Sequence, residues 1–131
     1  MQGRRGEIGW LVVRIAFGLT LALAHGLPKV VGGKMEGFAQ GVAELGFPFP
    51  LFFAWCAVLS ELVGGLLVAV GLFTRPAAAM AAFTMMVAIY RNRANPFERM
   101  ELALLYLAVM VAVLLIGAGP YSLDARVRRR P

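Results

Sequence analysis

The sequence predicts an all-α integral membrane protein, a four-helix bundle with a short interfacial amphipathic helix between its first two spans. Of the 131 residues, 60% are apolar or aromatic and only 15% are charged, against about 25% charged residues in an average soluble domain. A single domain this small exposes a large surface, which so few charges could not cover in water. The single cysteine excludes an internal disulfide framework and a Cys-based zinc site.

Four apolar stretches predict the spans of one transmembrane domain over residues 1–131. They cover about residues 8–27, 51–73, 76–92 and 101–118. A helix rises 1.5 Å per residue, so a hydrocarbon core of about 30 Å needs about 20 residues. The third and fourth stretches are shorter, and they must use flanking residues or thin the bilayer locally to cross it.

The first stretch has one alternative interpretation. Arg4 and Arg5, the apolar run and Ala22-Leu23-Ala24 are typical of a secretory signal with a small-residue cleavage site. Arg14 lies inside the run, however, and cleavage would leave an odd number of spans. We therefore predict that this segment is retained as a span.

Basic residues are concentrated at the two ends of the chain. With four spans, both termini lie on one side of the membrane, and that side holds more Lys and Arg than the other. Because Lys and Arg favour the cytoplasmic side, we expect both termini in the cytoplasm of a cell-membrane protein. Residues 125–131 would form a basic tail that contacts lipid headgroups. No basic stripe interleaved with aromatic residues occupies a soluble segment, which argues against a nucleic-acid partner.

The connection between the first two spans contains a short amphipathic pattern. Met35, Phe38, Ala39, Val42 and Leu45 recur at helical spacing, which predicts a helix with one apolar face. This helix is too short to cross the bilayer, so we expect it to lie in the membrane interface.

Glu61 is the polar residue that most needs an explanation. It lies in the middle of the second span, where an ionisable side chain costs about 2.5–3.5 kcal/mol on insertion scales. Ala57, Glu61, Gly64 and Gly65 share one helix face, and small residues let another helix approach. We therefore expect Glu61 to face the bundle interior. Arg14 is the expected cation of a structural ion pair with Glu61, and the alternative is a proton-handling or ligand-binding role for Glu61.

Three further polar residues are candidates for binding a ligand or handling protons. His25 lies near the outer end of the first span, and Glu101 opens the fourth span at a similar depth. A histidine beside a carboxylate is a common arrangement for proton transfer at neutral pH. Tyr106 lies inside the fourth span, and its hydroxyl needs a partner if it is buried. One histidine without HxxxH, HExxH or ExxH spacing makes a weak ligand set, so no metal site is predicted.

Several segments together resemble the DoxX family of small four-span membrane proteins. Residues 59–75, LSELVGGLLVAVGLFTR, are similar to the second-span signature of the family, and residues 24–29, AHGLPK, to the end of its first span. Residues 101–106, ELALLY, and residues 120–124, PYSLD, resemble its last span and tail. The resemblance covers nearly the whole chain. The closing Gly-Pro-Gly of the family is replaced here by Gly117-Ala-Gly-Pro, a local departure.

The resemblance implies a four-helix membrane bundle and a link to redox chemistry. One member resembles the membrane subunit of a thiosulfate:quinone oxidoreductase, and others associate with redox-defence enzymes at the bacterial inner membrane. The residues that match the family motifs are His25, Gly26, Lys29, Glu61, Gly64, Gly65, Arg75, Glu101, Ser122 and Asp124. No catalytic residue is assigned among them.

These patterns leave hypotheses of different classes open. The first is a quinone-linked membrane redox component that binds a quinone-like lipid or docks a soluble redox enzyme. His25, Glu61, Glu101 and Tyr106 would be its ligand-orienting and proton-handling groups. The sequence has no dinucleotide-binding glycine pattern, CxxC or haem ligand pair, so electrons would come from a partner or a ligand.

The alternatives are a non-enzymatic scaffold that anchors a soluble enzyme through the basic tail and, more weakly, a small-solute transporter. The alanine-rich third span could also pack against a second copy of the chain in a homo-oligomer.

Overall fold

The structure, a computed structural model, describes residues 3–129 and contains helices but no strand in that range. The predicted all-α class is confirmed. The helices in chain order are α1 (Gly3–Val31), α2 (Met35–Glu44), α3 (Pro50–Val70), α4 (Thr74–Arg91), α5 (Glu98–Ile116) and α6 (Leu123–Arg129). Residues 130 and 131 of the predicted tail, Arg130 among them, lie outside the described residues.

Three of the described helices are long and apolar enough to cross a membrane. These are α1, α3 and α5, which correspond to the first, second and fourth predicted spans. The third predicted span forms α4, which has 18 residues but does not reach the hydropathy of the other three. The arginines at its two ends, its two threonines, Pro76 and Tyr90 lower its mean hydropathy. The four-span bundle is therefore not confirmed by length and composition.

The first helix contains a π-helical segment just before Pro28. α1 is an α-helix to Thr20, a π-helix over Leu21–Gly26 and an α-helix again over Leu27–Val31. In a regular helix the ring of Pro28 would clash with the carbonyl four residues earlier, and Pro28 has no N–H to donate. A π-helical turn is a known local adjustment to a proline in such helices. The helix thereby continues past the predicted end near residue 27 and includes Lys29.

The first and third helices cross with their backbones in contact. A Cβ atom added to Gly18 would lie 2.6 Å from the carbonyl oxygen of Gly65 and 2.7 Å from the backbone nitrogen of Ala69. A Cβ atom on Gly26 would lie 2.6 Å from the backbone nitrogen of Leu62. These separations are shorter than any normal contact, so the crossing requires glycine at both positions.

The remaining helices pack around this crossing through small and aliphatic side chains. The predicted amphipathic helix is present as α2, and it packs on α3 through Met35, Ala39, Val42, Ala54 and Val58. α4 and α5 pack on α3 and on each other through a second cluster, which includes Val68, Ala78, Ala81, Met85, Met110 and Val113.

The glycine crossing should be sensitive to a single methyl group. We expect Gly18→Ala to lower the free energy of unfolding by about 1–3 kcal/mol, because the new Cβ meets backbone atoms of α3 that cannot move aside. Thermal unfolding of the detergent-solubilised protein measures this change. Gly9→Ala is the matched control, since nothing lies within 4 Å of its added Cβ, and it should be neutral or slightly stabilising. Equal effects of the two substitutions would contradict the close crossing.

Candidate functional site

A cavity of about 520 Å³ lies among α2, α3 and α4, with Lys29 of α1 in its wall. We call it the ion-pair pocket. Its walls are mainly apolar and include Phe38, Phe53 and Phe83. The volume falls in the range of about 300–1,000 Å³ that is typical of sites for small molecules.

The main polar feature of this pocket is an ion pair between Lys29 and Glu61. The Nζ atom of Lys29 lies 2.9 Å from Oε2 and 3.2 Å from Oε1 of Glu61. Glu61 is near the middle of α3 and only 4% exposed, and Nζ also lies 4.7 Å from the centroid of the Phe38 ring. The charge of the buried Glu61 is costly to desolvate, whereas the Lys29 side chain remains 26% exposed. In a membrane helix such a pair suggests a binding or proton-handling site.

The predicted ion pair between Arg14 and Glu61 is wrong. The guanidinium of Arg14 donates hydrogen bonds to backbone carbonyls instead, namely those of Ala69 at 3.3 Å, Tyr121 at 2.8 Å and Ala118. The cause is the register of the crossing, which places Arg14 beside Ala69. Glu61 is eight residues from Ala69, or about 12 Å along the axis of α3, which is farther than an arginine side chain extends.

His25 and Tyr106 meet beside this ion pair. Their ring centroids are 5.3 Å apart in an edge-to-face arrangement, a favourable geometry for aromatic rings. Tyr106 is 2% exposed, and Phe17 contacts it as well, with the ring centroids 5.8 Å apart. Glu61 acts electrostatically on both His25 and Tyr106. The structure therefore brings three of the four sequence-predicted candidates into one region.

Glu101 is the candidate that the structure leaves outside this region. It is exposed in the first turn of α5, and within residues 3–129 it forms no ion pair with His25. The residue of α5 that reaches His25 is Tyr106, five positions later, or about 7.5 Å along the helix axis. The described residues also contain no group of three His, Cys, Asp or Glu side chains that could hold a metal ion.

Two cations of the pocket were not recognised as such from the sequence. Lys29 appeared only as a motif residue, although its spacing of four from His25 places both on one side of a helix. Arg91 lies at the end of the third predicted span and received no role, yet it lines the pocket and its guanidinium lies against the backbone of Gly41 in α2, where a Cβ would overlap it. Gly41, a glycine on the buried side of α2, is a sequence feature that could have indicated this contact.

The remaining motif residues organise the opposite end of the molecule. Oδ1 of Asp124 accepts a hydrogen bond from the backbone of Phe73 at 2.9 Å, and Oδ2 accepts bonds from the backbone and hydroxyl of Thr74 at 3.0 and 2.6 Å. Asp124 thus caps α4 and holds Phe73, which has a left-handed backbone with φ of 47°. Ser122 donates to the carbonyl of Gly119, and Arg75 is exposed near Gly117.

The pKa of Asp124 reflects this capping role. Partial burial raises the pKa of its carboxyl group, but the hydrogen bonds from Thr74 and Phe73 and the charge of Arg128 lower it by more. The net pKa lies below the ordinary value. The ionised form is therefore favoured in the folded state, and the cap strengthens as the group ionises.

These features define a small helical membrane protein with a polar site between its helices. The DoxX family model matches residues 9–92, and the chain belongs to the DoxX family. The resemblance seen in the sequence is confirmed.

Two curated relatives cover most of the chain. It is 31% identical over 130 residues to the Inner membrane protein YphA of Escherichia coli, a match that spans 88% of each chain. It is 35% identical over 120 residues to a Bacillus subtilis protein named "Putative oxidoreductase CatD", a match that spans 90% of this chain and 86% of that one. No solved structure matches the chain.

The buried ion pair should show strong coupling between its partners. We expect Lys29→Met to lower the free energy of unfolding by about 3 kcal/mol or more, because it leaves the Glu61 carboxylate buried without a cation. The double variant Lys29→Met and Glu61→Gln should recover most of that loss. Denaturant unfolding in detergent measures the cycle, with Lys34→Met at an exposed lysine as the control. Additive effects of the two substitutions would show that the pair is not coupled.

The capping carboxylate should make stability depend on pH. We expect Asp124→Asn to lower the free energy of unfolding by about 1 kcal/mol at pH 7, since a charged cap with three donors is lost. Because the folded pKa is depressed, the contribution is complete above the unfolded value of about 3.9 and is lost as the pH falls through the folded pKa. Melting temperatures of both proteins from pH 7 downward test this, with Glu44→Gln as an exposed control. A difference that persists unchanged in acid would contradict it.

Proposed function

We propose that this DoxX-family membrane protein is the membrane component of a quinone-linked redox or oxidative-defence system. In this proposal the ion-pair pocket binds a quinone-like lipid. The observation that supports it most is the combination of an apolar cavity of about 520 Å³ with a lysine–glutamate pair whose carboxylate lies near the middle of α3. The name of the Bacillus subtilis relative, an oxidoreductase, is consistent with it.

The pocket residues fit the chemistry of a quinone headgroup. A quinone ring is flat and apolar, and its two carbonyl oxygens accept hydrogen bonds. The ammonium of Lys29 has three N–H donors, of which two meet the Glu61 carboxylate, so the third is free to donate to a ligand carbonyl. Aromatic side chains, among them Phe38 and Phe53, offer flat apolar surfaces for the ring.

Glu61 of the pocket and His25, which lies beside the ion pair but outside the cavity lining, can hold and transfer protons. Reduction of a quinone to a quinol takes up two electrons and two protons. The Glu61 carboxylate can accept a hydrogen bond from a hydroxyl group, and the half-buried His25 has an imidazole, the side chain that ordinarily titrates near neutral pH. We assign proton handling to these two groups. The electrons would come from a soluble redox enzyme that docks on the membrane protein.

The membrane arrangement that goes with this function has four spans and cytoplasmic termini. α4 has 18 residues, which is about 27 Å of helix, close to the hydrocarbon thickness of about 30 Å. It packs between α3 and α5, both of which can cross a membrane. We therefore assign α4 as the third span, so that the ion-pair pocket lies toward the outer side. Self-association through exposed faces of α4 is compatible with this arrangement.

Quinone binding can be tested with a variant that fills the pocket and leaves its charges intact. Ala57 lines the pocket, and we expect Ala57→Phe to weaken the binding of a short-chain ubiquinone analogue by tenfold or more, because the added ring occupies the space of the ligand. Binding is measured from the shift in melting temperature as the quinone is titrated into protein in nanodiscs. Ala108→Phe, at an exposed position of α5, is the matched control and should bind like the wild type.

Substitution of two glutamates distinguishes the ion-pair pocket from the exposed first turn of α5, where Glu101 lies. Glu61→Gln should weaken the binding of the reduced quinol by about tenfold, because the carboxylate no longer accepts a charge-assisted hydrogen bond from a quinol hydroxyl, whereas Glu101→Gln should not, since Glu101 lies outside the pocket. If lipid extracts of the purified wild type contain no quinone, and added quinone leaves its melting temperature unchanged, the proposal is wrong.

A further inference from the structure

A second cavity, of about 580 Å³, lies at the opposite end of the molecule from the ion-pair pocket. It is bounded by the first half of α1, the end of α3, and the segment from Pro120 to Arg129. One wall consists of aliphatic side chains of α1, namely Leu11, Ile15 and Leu19. The charged residues in its lining are Arg14, Arg126 and Arg129. We call this cavity the arginine groove.

The arginine groove has an uncompensated positive charge. No aspartate or glutamate belongs to its lining among residues 3–129. The nearby carboxylate of Asp124 acts on Arg14 electrostatically, but its oxygens already accept hydrogen bonds from Phe73 and Thr74. In the ion-pair pocket, by contrast, Lys29 is neutralised by Glu61, and Arg91 is the other cation of that lining.

The fold fixes the position of the Arg14 side chain, so its positive charge is a constant feature of the groove. Its side chain is 1% exposed and is fixed by three backbone carbonyls. All three acceptors are neutral, so the guanidinium keeps its full charge. Its Nε is buried and has no hydrogen-bond partner within the described part of the chain. A buried cation with an unused donor is costly in a membrane protein, and an anion in the adjoining groove would offset that cost.

The two outer arginines are placed to act together on one ligand. Arg126 and Arg129 are three residues apart on α6, so they lie on the same side of the helix. Arg128 is directed elsewhere, with its Nε 3.5 Å from the carbonyl oxygen of Asp124. Guanidinium groups match phosphate oxygens in geometry and charge.

The aliphatic wall identifies the kind of anion. Ile15 and Leu19 are each 38% exposed, and they belong to an apolar helix that can cross the membrane. The groove therefore joins a surface suited to acyl chains to a cluster of arginines suited to a phosphate group. We propose that the arginine groove is a specific binding site for an anionic phospholipid, whose phosphate is held by Arg126 and Arg129 and attracted by Arg14, with its acyl chains against the aliphatic wall of α1.

The test compares two double substitutions that each remove two positive charges, one pair near each terminus of the chain. Arg126→Gln with Arg129→Gln removes the groove arginines. Arg4→Gln with Arg5→Gln removes two exposed arginines of α1 that do not line the groove. Each full-length protein is purified in detergent and titrated with phosphatidylglycerol or phosphatidylcholine, and bound lipid is counted by native mass spectrometry.

We expect the wild type to bind one phosphatidylglycerol at least tenfold more tightly than phosphatidylcholine. The groove variant should lose that preference, and the control variant should keep it. Circular dichroism of the lipid-free proteins should be alike, because all four arginines are exposed. As an independent variant, Leu19→Trp should weaken phosphatidylglycerol binding by narrowing the groove without changing its charge.

Three outcomes would overturn the proposal. The first is equal loss of phosphatidylglycerol in the two double variants, which would mean diffuse attraction to basic residues. The second is equal binding of both lipids by the wild type. The third is unchanged lipid binding by the groove variant together with loss of a co-purifying acidic protein, which would make the tail a protein-docking surface. None of these results depends on quinone binding at the other end of the molecule.

Discussion

The backbone contact between α1 and α3 sets the axial register on which the placement of every buried charge depends. Because Gly18 lies directly against Gly65, the two antiparallel helices cannot slide past each other without a steric clash. In this register the end of α1 reaches the middle of α3, so Lys29 meets Glu61. The same register places Arg14 at the end of α3, where backbone carbonyls lack partners within the helix.

The two buried cations are consequently stabilised in different ways. Lys29 is neutralised by a carboxylate, which leaves a pair without net charge inside an apolar pocket. Arg14 receives only carbonyl oxygens, from the end of α3 and the turn after α5, so its charge is solvated but not cancelled. It joins three chain segments at one point, and the indole of Trp10 adds a further bond to the same turn, to the carbonyl of Gly117 at 2.9 Å.

The helical fold could be predicted largely from the sequence, but the pairing of side chains could not. Periodicity gives the angle at which a residue leaves a helix, and the small residues beside Glu61 indicated a face open to a close neighbour. Periodicity does not give the axial register of one helix relative to another. For this reason Arg14 was wrongly paired with Glu61. The predicted proximity of Glu101 to His25 was wrong for the same reason. The residue of α5 that contacts His25 is Tyr106, little more than one helical turn further along. The π-helical segment ahead of Pro28 extends α1, and no pattern in the sequence predicted it.

Two cavities of similar size therefore differ in the charge that they present. In the ion-pair pocket a ligand with a phosphate group would meet the carboxylate of Glu61 as well as the cations Lys29 and Arg91, whereas the arginine groove has no carboxylate in its described lining. A neutral ring with carbonyl groups would leave the cations of the arginine groove without a counter-charge, whereas in the pocket it would meet N–H donors of Lys29 and Arg91 between apolar walls. Because one helix register produces both environments, a shift of α1 along α3 would remove the ligand preference of both cavities together.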